Sequence, residues 1–149
     1  MREILFRGKH MHVCPENKHL DGTWVEGYLE DENHINDGKC EFLIDPETIC
    51  QYTGLTDKNG KKIWEGDLVK YLFSDTIAPI RYGSYQSCFD STKTEHVGFY
   101  VDWSVTDKEY IRKDLGYWIN MVDAKIVGNI FDNPELLEAC DGEINQNIQ

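Results

Sequence analysis

The chain has no long apolar run. Its hydrophobic stretches span only a few residues each, whereas a membrane-crossing helix needs about 20, so no such helix is expected. It lacks paired cysteines as well. Cys14, Cys40, Cys50, Cys88 and Cys140 are an odd number without framework spacing, and nothing reads as a secretory signal. Reduced thiols in a cytoplasm are the expectation. Basic charge is the third shortage: 15 Lys and Arg stand against 27 Asp and Glu, a formal net charge of −12. A protein that binds by neutralising nucleic-acid phosphates needs the opposite balance. No glycine-rich phosphate loop, serine elbow, paired-metal acidic signature, internal repeat or low-complexity tract occurs.

What the chain does have is the material of one ordinary domain, or of two small lobes. It is 149 residues long, 40% hydrophobic and 12% aromatic, with 12 glycines, a composition that favours a folded, β-rich protein. The acids are unevenly placed. Nine lie between Asp21 and Glu47 with Lys39 as the sole counter-charge, and five lie between Ile130 and the end with no base. Such runs ordinarily form solvated faces. The sharper alternative is an acidic face that imitates a nucleic-acid backbone and occupies a host protein's basic groove.

Strand signals recur along the chain. Ile4–Arg7 reads as a strand ended by Gly8, and Gly22–Glu30 as a second that pairs with it in an antiparallel ribbon. Glu41–Ile44 and Thr48–Tyr52 follow, separated by a corner at Asp45-Pro46-Glu47, because Pro46 cannot donate to a ladder. Asp57-Lys58-Asn59-Gly60 is a reversal, since Asn-Gly tolerates positive φ. Beyond it, Ile63–Tyr71 alternates unevenly about Gly66, as a bent strand does. Leu68–Phe73, Ile80–Tyr85, Val97–Trp103 and Ala124–Phe131 complete the strands, with Ser87–Glu95 as a polar loop suited to a binding tip. Lys108–Leu115 has the apolar spacing of one or two helical turns, with Gly116 fitted to its end. Asn133-Pro134-Glu135 opens a C-terminal helix reaching Cys140.

The expected fold is therefore mainly β, a β-rich α+β chain built as a small SH3-like or partly open β-barrel with an N-terminal β extension. Residues 1–56 form the extension, 57–140 the barrel-like domain with its helix, and 141–149 a frayed tail.

Candidate chemistry is sparse. His10, His12 and Cys14 alternate, so on an extended chain they share one side and a fourth ligand from Cys40 or Cys50 would complete a zinc site. The spacing is not that of a zinc finger, and no cofactor or metal is expected. Glu65, Asp67, Asp102, Asp114 and His96 are available for hydrolysis, but Asp67 follows a glycine at a strand entry, where a carboxylate caps backbone N–H groups. The chain is accordingly read as a non-enzyme. Gly54, Asn59, Gly60, Trp64, Gly66 and Asp67 are read as structural. Tyr52, Tyr117 and Trp118 sit beside turns and are the candidates for an aromatic partner surface. Lys61 and Lys62, with Lys58 and Lys70, make the single basic island, the place for any nucleic-acid contact along Lys58–Lys70.

Several ordered blocks carry a family likeness: Phe6-Arg7-Gly8-Lys9, Gly22–Tyr28, Ile44–Thr48, Gln51–Val69, Gly98–Trp103 and Val127–Leu137. Through them the chain resembles the YopX family of small phage- and prophage-encoded proteins. The resemblance implies a phage or prophage origin and a bacterial cytoplasm, and it supplies no activity to carry over to particular residues. By analogy, the Glu65–Val69 strand entry is similar to the first bend of small SH3-like barrels. The expectation is an accessory protein acting through contacts with a host or phage protein, with no membrane partner and homo-oligomerisation as one means of covering its strand edges.

Overall fold

A computed structural model of the chain describes residues 4–11, 20–71, 76–86, 95–103, 113–121 and 124–137. The fold is mainly β, with two antiparallel sheets and short helical turns. The backbone divides into two units, Met1–Gly54 and Leu55–Gln149.

In the first unit, β1 (Phe6–Lys9) is the central strand. It pairs on one side with β2 (Trp24–Asp31), Phe6 opposite Gly27 and Lys9 opposite Trp24. On the other side it meets β5 (Cys50–Thr56), with Arg7 opposite Cys50. The sheet continues outward from β2 through β3 (His34–Asn36) to β4 (Glu41–Leu43). Gly8 does not end β1, as the sequence suggested, but lies within it. A Cβ there would stand 2.2 Å from Ile44 Cγ2, so a bare backbone is what lets the fully buried Ile44 close onto the strand. Ile35 and Cys50 join Ile44 inside this unit. The corner at Asp45 is a 3-10 turn, Pro46–Thr48, whose first residue is the proline and whose cap is the Asp45 carboxylate, accepting from Glu47 N at 3.1 Å. On one face of the sheet the guanidinium of the buried Arg7 and the Lys9 ammonium both lie over the Trp24 ring, at 4.5 and 5.4 Å from its centroid.

β5 runs on past Gly54 and turns at Asp57–Gly60 into β6 (Lys62–Trp64). The second unit then builds the sheet order β10-β7-β8-β9 from β7 (Asp67–Lys70), β8 (Ile77–Gln86), β9 (Glu95–Val101) and β10 (Lys125–Asn129). Its edge strands β10 and β9 do not pair with each other, so among the described residues no barrel closes, while the mainly β class expected from the sequence holds. Its core gathers Ile63, Val69, Ala78, Ile80, Val101, Trp103, Leu115, Trp118 and Ile119. Trp103 and Trp118 pack edge to face, with centroids 4.9 Å apart.

The helix expected at Lys108–Leu115 falls largely outside the described residues. What is described is a helical segment from Leu115 that widens into a π-turn, Tyr117–Met121. Gly116 is inside it rather than past its end. The spacing of Leu115, Trp118 and Ile119 puts all three on the buried side, and that burial carries the helix across the glycine. Of the expected C-terminal helix, one turn at 135–137 is described, closed by Leu136 N to Asn133 O and Leu137 N to Pro134 O, both 3.1 Å. Its remainder and the tail lie outside the described residues.

Candidate functional site

The long β8–β9 ribbon carries two exposed large apolar side chains, Tyr82 and Val97. Its register runs Ile80 to Val101, Tyr82 to Phe99, Ser84 to Val97 and Gln86 to Glu95. Because side chains alternate across a strand, these rungs share one face. Ile80 and Val101 are buried in the core at one end of that face. One rung further out, Tyr82 is 55% exposed and edge-on to the half-buried Phe99, with centroids 5.0 Å apart. At the next rung Val97 is 71% exposed. The apolar face thus continues past the point where the core stops covering it.

The opposite face carries Arg81 and Tyr100, then Gly83 and Gly98, then Tyr85 and His96. Arg81 Nε donates to Asp102 Oδ2 at 2.9 Å. Tyr85 stacks near-parallel with His96 at 5.4 Å and with Tyr100 at 5.3 Å, so its ring lies between theirs. Gly83 and Gly98 leave the floor of this stack bare, and a Cβ on Gly83 would just meet Tyr100 Cε1 at 3.8 Å. Burial, then the negative charge of Asp114, raises the Tyr85 phenol above its ordinary pKa.

The residues singled out from the sequence lie elsewhere. Tyr52 and Trp118 are interior, at 7% and 4% exposure. Trp118 is enclosed by Trp103, Tyr71 and Tyr117, and Tyr117 is half-buried against it at 5.3 Å. Adjacency to a turn put these rings forward, but residue spacing within the helical segment turns Trp118 inward. Lys61 is exposed and Lys62 half-buried at the β5–β6 reversal. His10 is 5% exposed, bridges to Ile44 through the backbone and stands edge-on to Phe42 at 4.9 Å. His12 and Cys14 lie outside the described residues.

Of the residues read as structural, Trp64, Gly66 and Asp67 share one turn with a buried carboxylate. Gly54, Gly60 and Gly66 hold φ of 89°, 81° and 88°. Asp67, 4% exposed, accepts from Trp64 N at 2.8 Å through Oδ2. The intervening turn is tied at both sides, with Gly66 N donating to Ile80 O at 2.8 Å and Ile130 N to Gly66 O at 2.9 Å. Asn59 sits in the exposed reversal, its N–H given to Asp57 Oδ1 at 2.9 Å.

One group of potential metal ligands occurs among the described residues. Asp31, His34 and Glu41 bring one ligand atom each within 4.8 Å of one another at the ends of β2, β3 and β4. Asp31 Oδ1 is 2.8 Å from His34 Nδ1 and also accepts from Asn33 N at 3.0 Å. The Asn33 N–H first and the imidazole second hold the Asp31 carboxyl below its ordinary range, and Asp31 in turn raises His34. Asp31 is exposed and His34 half-buried. Sequence reading passed over this group because β3 is only three residues long and carries no pattern.

These features define a small antiparallel β protein with two sheets and short helical turns. The chain belongs to the YopX family: the family model, described as YopX protein, matches residues 7–138, most of its length. No curated protein matches it.

Proposed function

We propose that the protein is a non-enzymatic interaction module, acting as a phage or prophage accessory protein in the bacterial cytoplasm through the β8–β9 ribbon. The carrying observation is the outward continuation of the apolar face from the buried Ile80–Val101 rung to Tyr82 and Val97. Aromatic side chains on a fixed strand pair bind with little loss of conformational freedom, and contiguous exposed apolar surface is the usual mark of a contact site. β9 also ends its sheet, and beyond the Tyr100–Asp114 bridge and the Val101 N to Lys113 O bond its outer edge offers a place where an extended partner segment can add.

The test is affinity capture from a bacterial host lysate with the intact chain and with a Tyr82→Ser, Val97→Ser double variant of unchanged fold. A partner enriched by the intact chain and lost from the variant supports the reading. Equal capture by both sinks it. Capture that instead fades steeply with salt and disappears on charge reversal within Asp21–Glu47 favours the acidic-mimic alternative. A nucleic-acid mobility shift abolished by Lys61→Glu and Lys62→Glu favours binding through Lys58–Lys70.

A further inference from the structure

Asn59 is the single asparagine in the chain that is followed by glycine. Both residues are exposed at the β5–β6 reversal, and apart from Gly60 and its two chain neighbours no heavy atom lies within 4 Å of the place a Gly60 Cβ would occupy. A backbone nitrogen without a neighbouring Cβ is the least hindered nucleophile toward the preceding side-chain amide. The turn nevertheless restrains it. Gly60 N donates to Asp57 O at 3.0 Å, and Asp57 Oδ1 accepts from both Asn59 N and Lys61 N at 2.9 Å. The half-buried Asp57 thus fastens the three residues that would have to rearrange.

We propose that Asn59 is a self-modification site and that the Asp57 carboxylate sets its rate by holding the turn closed. In the reaction the Gly60 nitrogen forms a bond to Asn59 Cγ, the Cγ–Nδ2 bond breaks, and the Gly60 proton is transferred through solvent to the departing nitrogen. One ammonia leaves and a five-membered imide remains. Solvent water then adds to either imide carbonyl, giving aspartate or isoaspartate, with nothing oxidised or reduced. Each product places a carboxylate beside the exposed Lys58 and Lys61, and isoaspartate adds a methylene to the main chain of the β5–β6 hairpin. The reaction proceeds from the locally opened turn, a low-energy fluctuation of an exposed reversal, so the opening equilibrium governs it.

The full-length chain is incubated at mildly alkaline pH and its peptides are mapped by mass spectrometry. The intact protein is expected to gain the mass of an amide-to-acid exchange at Asn59, more slowly than the same chain unfolded in urea. Asp57→Ala is expected to speed the gain several-fold, and Asp57→Asn, which keeps an acceptor oxygen, to stay near the original rate. Asn59→Gln removes the site and leaves Asn33, Asn36 and Asn129 as internal references. An Asp57→Ala rate no faster than the original in a folded variant overturns the role of Asp57. Equal gain at the reference asparagines, or none at Asn59 in any form, overturns the site itself.

Discussion

The Asp67 carboxylate accepts a hydrogen bond from the main-chain N–H of Trp64 at 2.8 Å, across the turn formed by Glu65 and Gly66. This contact joins the most recognisable segment of the sequence to a specific physical task. A buried N–H left without its acceptor costs about 1–3 kcal/mol. Asp67→Ala is therefore expected to lower stability by about that amount, measured by urea unfolding, with Asp67→Asn retaining part of it.

Trp118→Ala tests the placement of the aromatic residues. The ring is 4% exposed and packed on Trp103, so its removal is expected to cost about 3–5 kcal/mol. Substitution at the exposed Tyr82 or Val97 is expected to stay within about 0.5 kcal/mol of the parent. A large stability loss at Tyr82 would show that the ribbon is covered in solution.

Gly8→Ala probes close approach rather than backbone freedom. The added carbon meets Ile44 Cγ2 at 2.2 Å, and Ile44 is fully buried, so the isoleucine has to shift within a packed interior. A loss of about 1–3 kcal/mol is expected, the usual cost of overpacking. Ile44→Ala removes the Cγ2 that the new carbon meets, so the two losses are expected to combine to less than their sum, a coupling that a double-mutant unfolding cycle reads directly.

The Asp31–His34 pair gives a pH signature. His34 is raised by its hydrogen bond to Asp31, so its contribution is full below the ordinary imidazole value and is lost as pH rises through the raised one. Asp31 is lowered, so its contribution is full above the ordinary carboxylate range and is lost as pH falls through the lowered value. The pair is thus intact between those limits. An NMR titration of the His34 ring is expected to show the upward displacement, and Asp31→Asn to remove it. An unchanged His34 titration in that variant contradicts the assignment.

Local chemistry made part of this fold readable in advance. Asp45-Pro46 announced a corner because proline lacks a donor, and Asn59-Gly60 announced a reversal because glycine accepts positive φ. The uneven alternation about Gly66 marked a bend for the same reason. Where the outcome depended on partners distant in sequence, the reading failed. Gly8 stays within its strand because Ile44, far along the chain, needs the space, and Trp118 turns inward because Trp103 and Tyr71 await it. The ribbon was legible as two strands, but not as a surface: Tyr82 and Val97 have the same alternation as core residues, and only their distance from the Ile80–Val101 rung exposes them. β3 was missed because a three-residue strand is specified by its neighbours.

Gly83 and Gly98 face each other across the ribbon between the Arg81–Tyr100 and Tyr85–His96 rungs, with the Tyr100 ring at the edge of Gly83. The rung has no side chains of its own, both glycines are only half-buried, and the space above Gly98 is open, so water stands against this rung without any ring having to move. Deuterium uptake at this rung would then report separation of the two strands directly, making the barest part of the ribbon a gauge of its pairing.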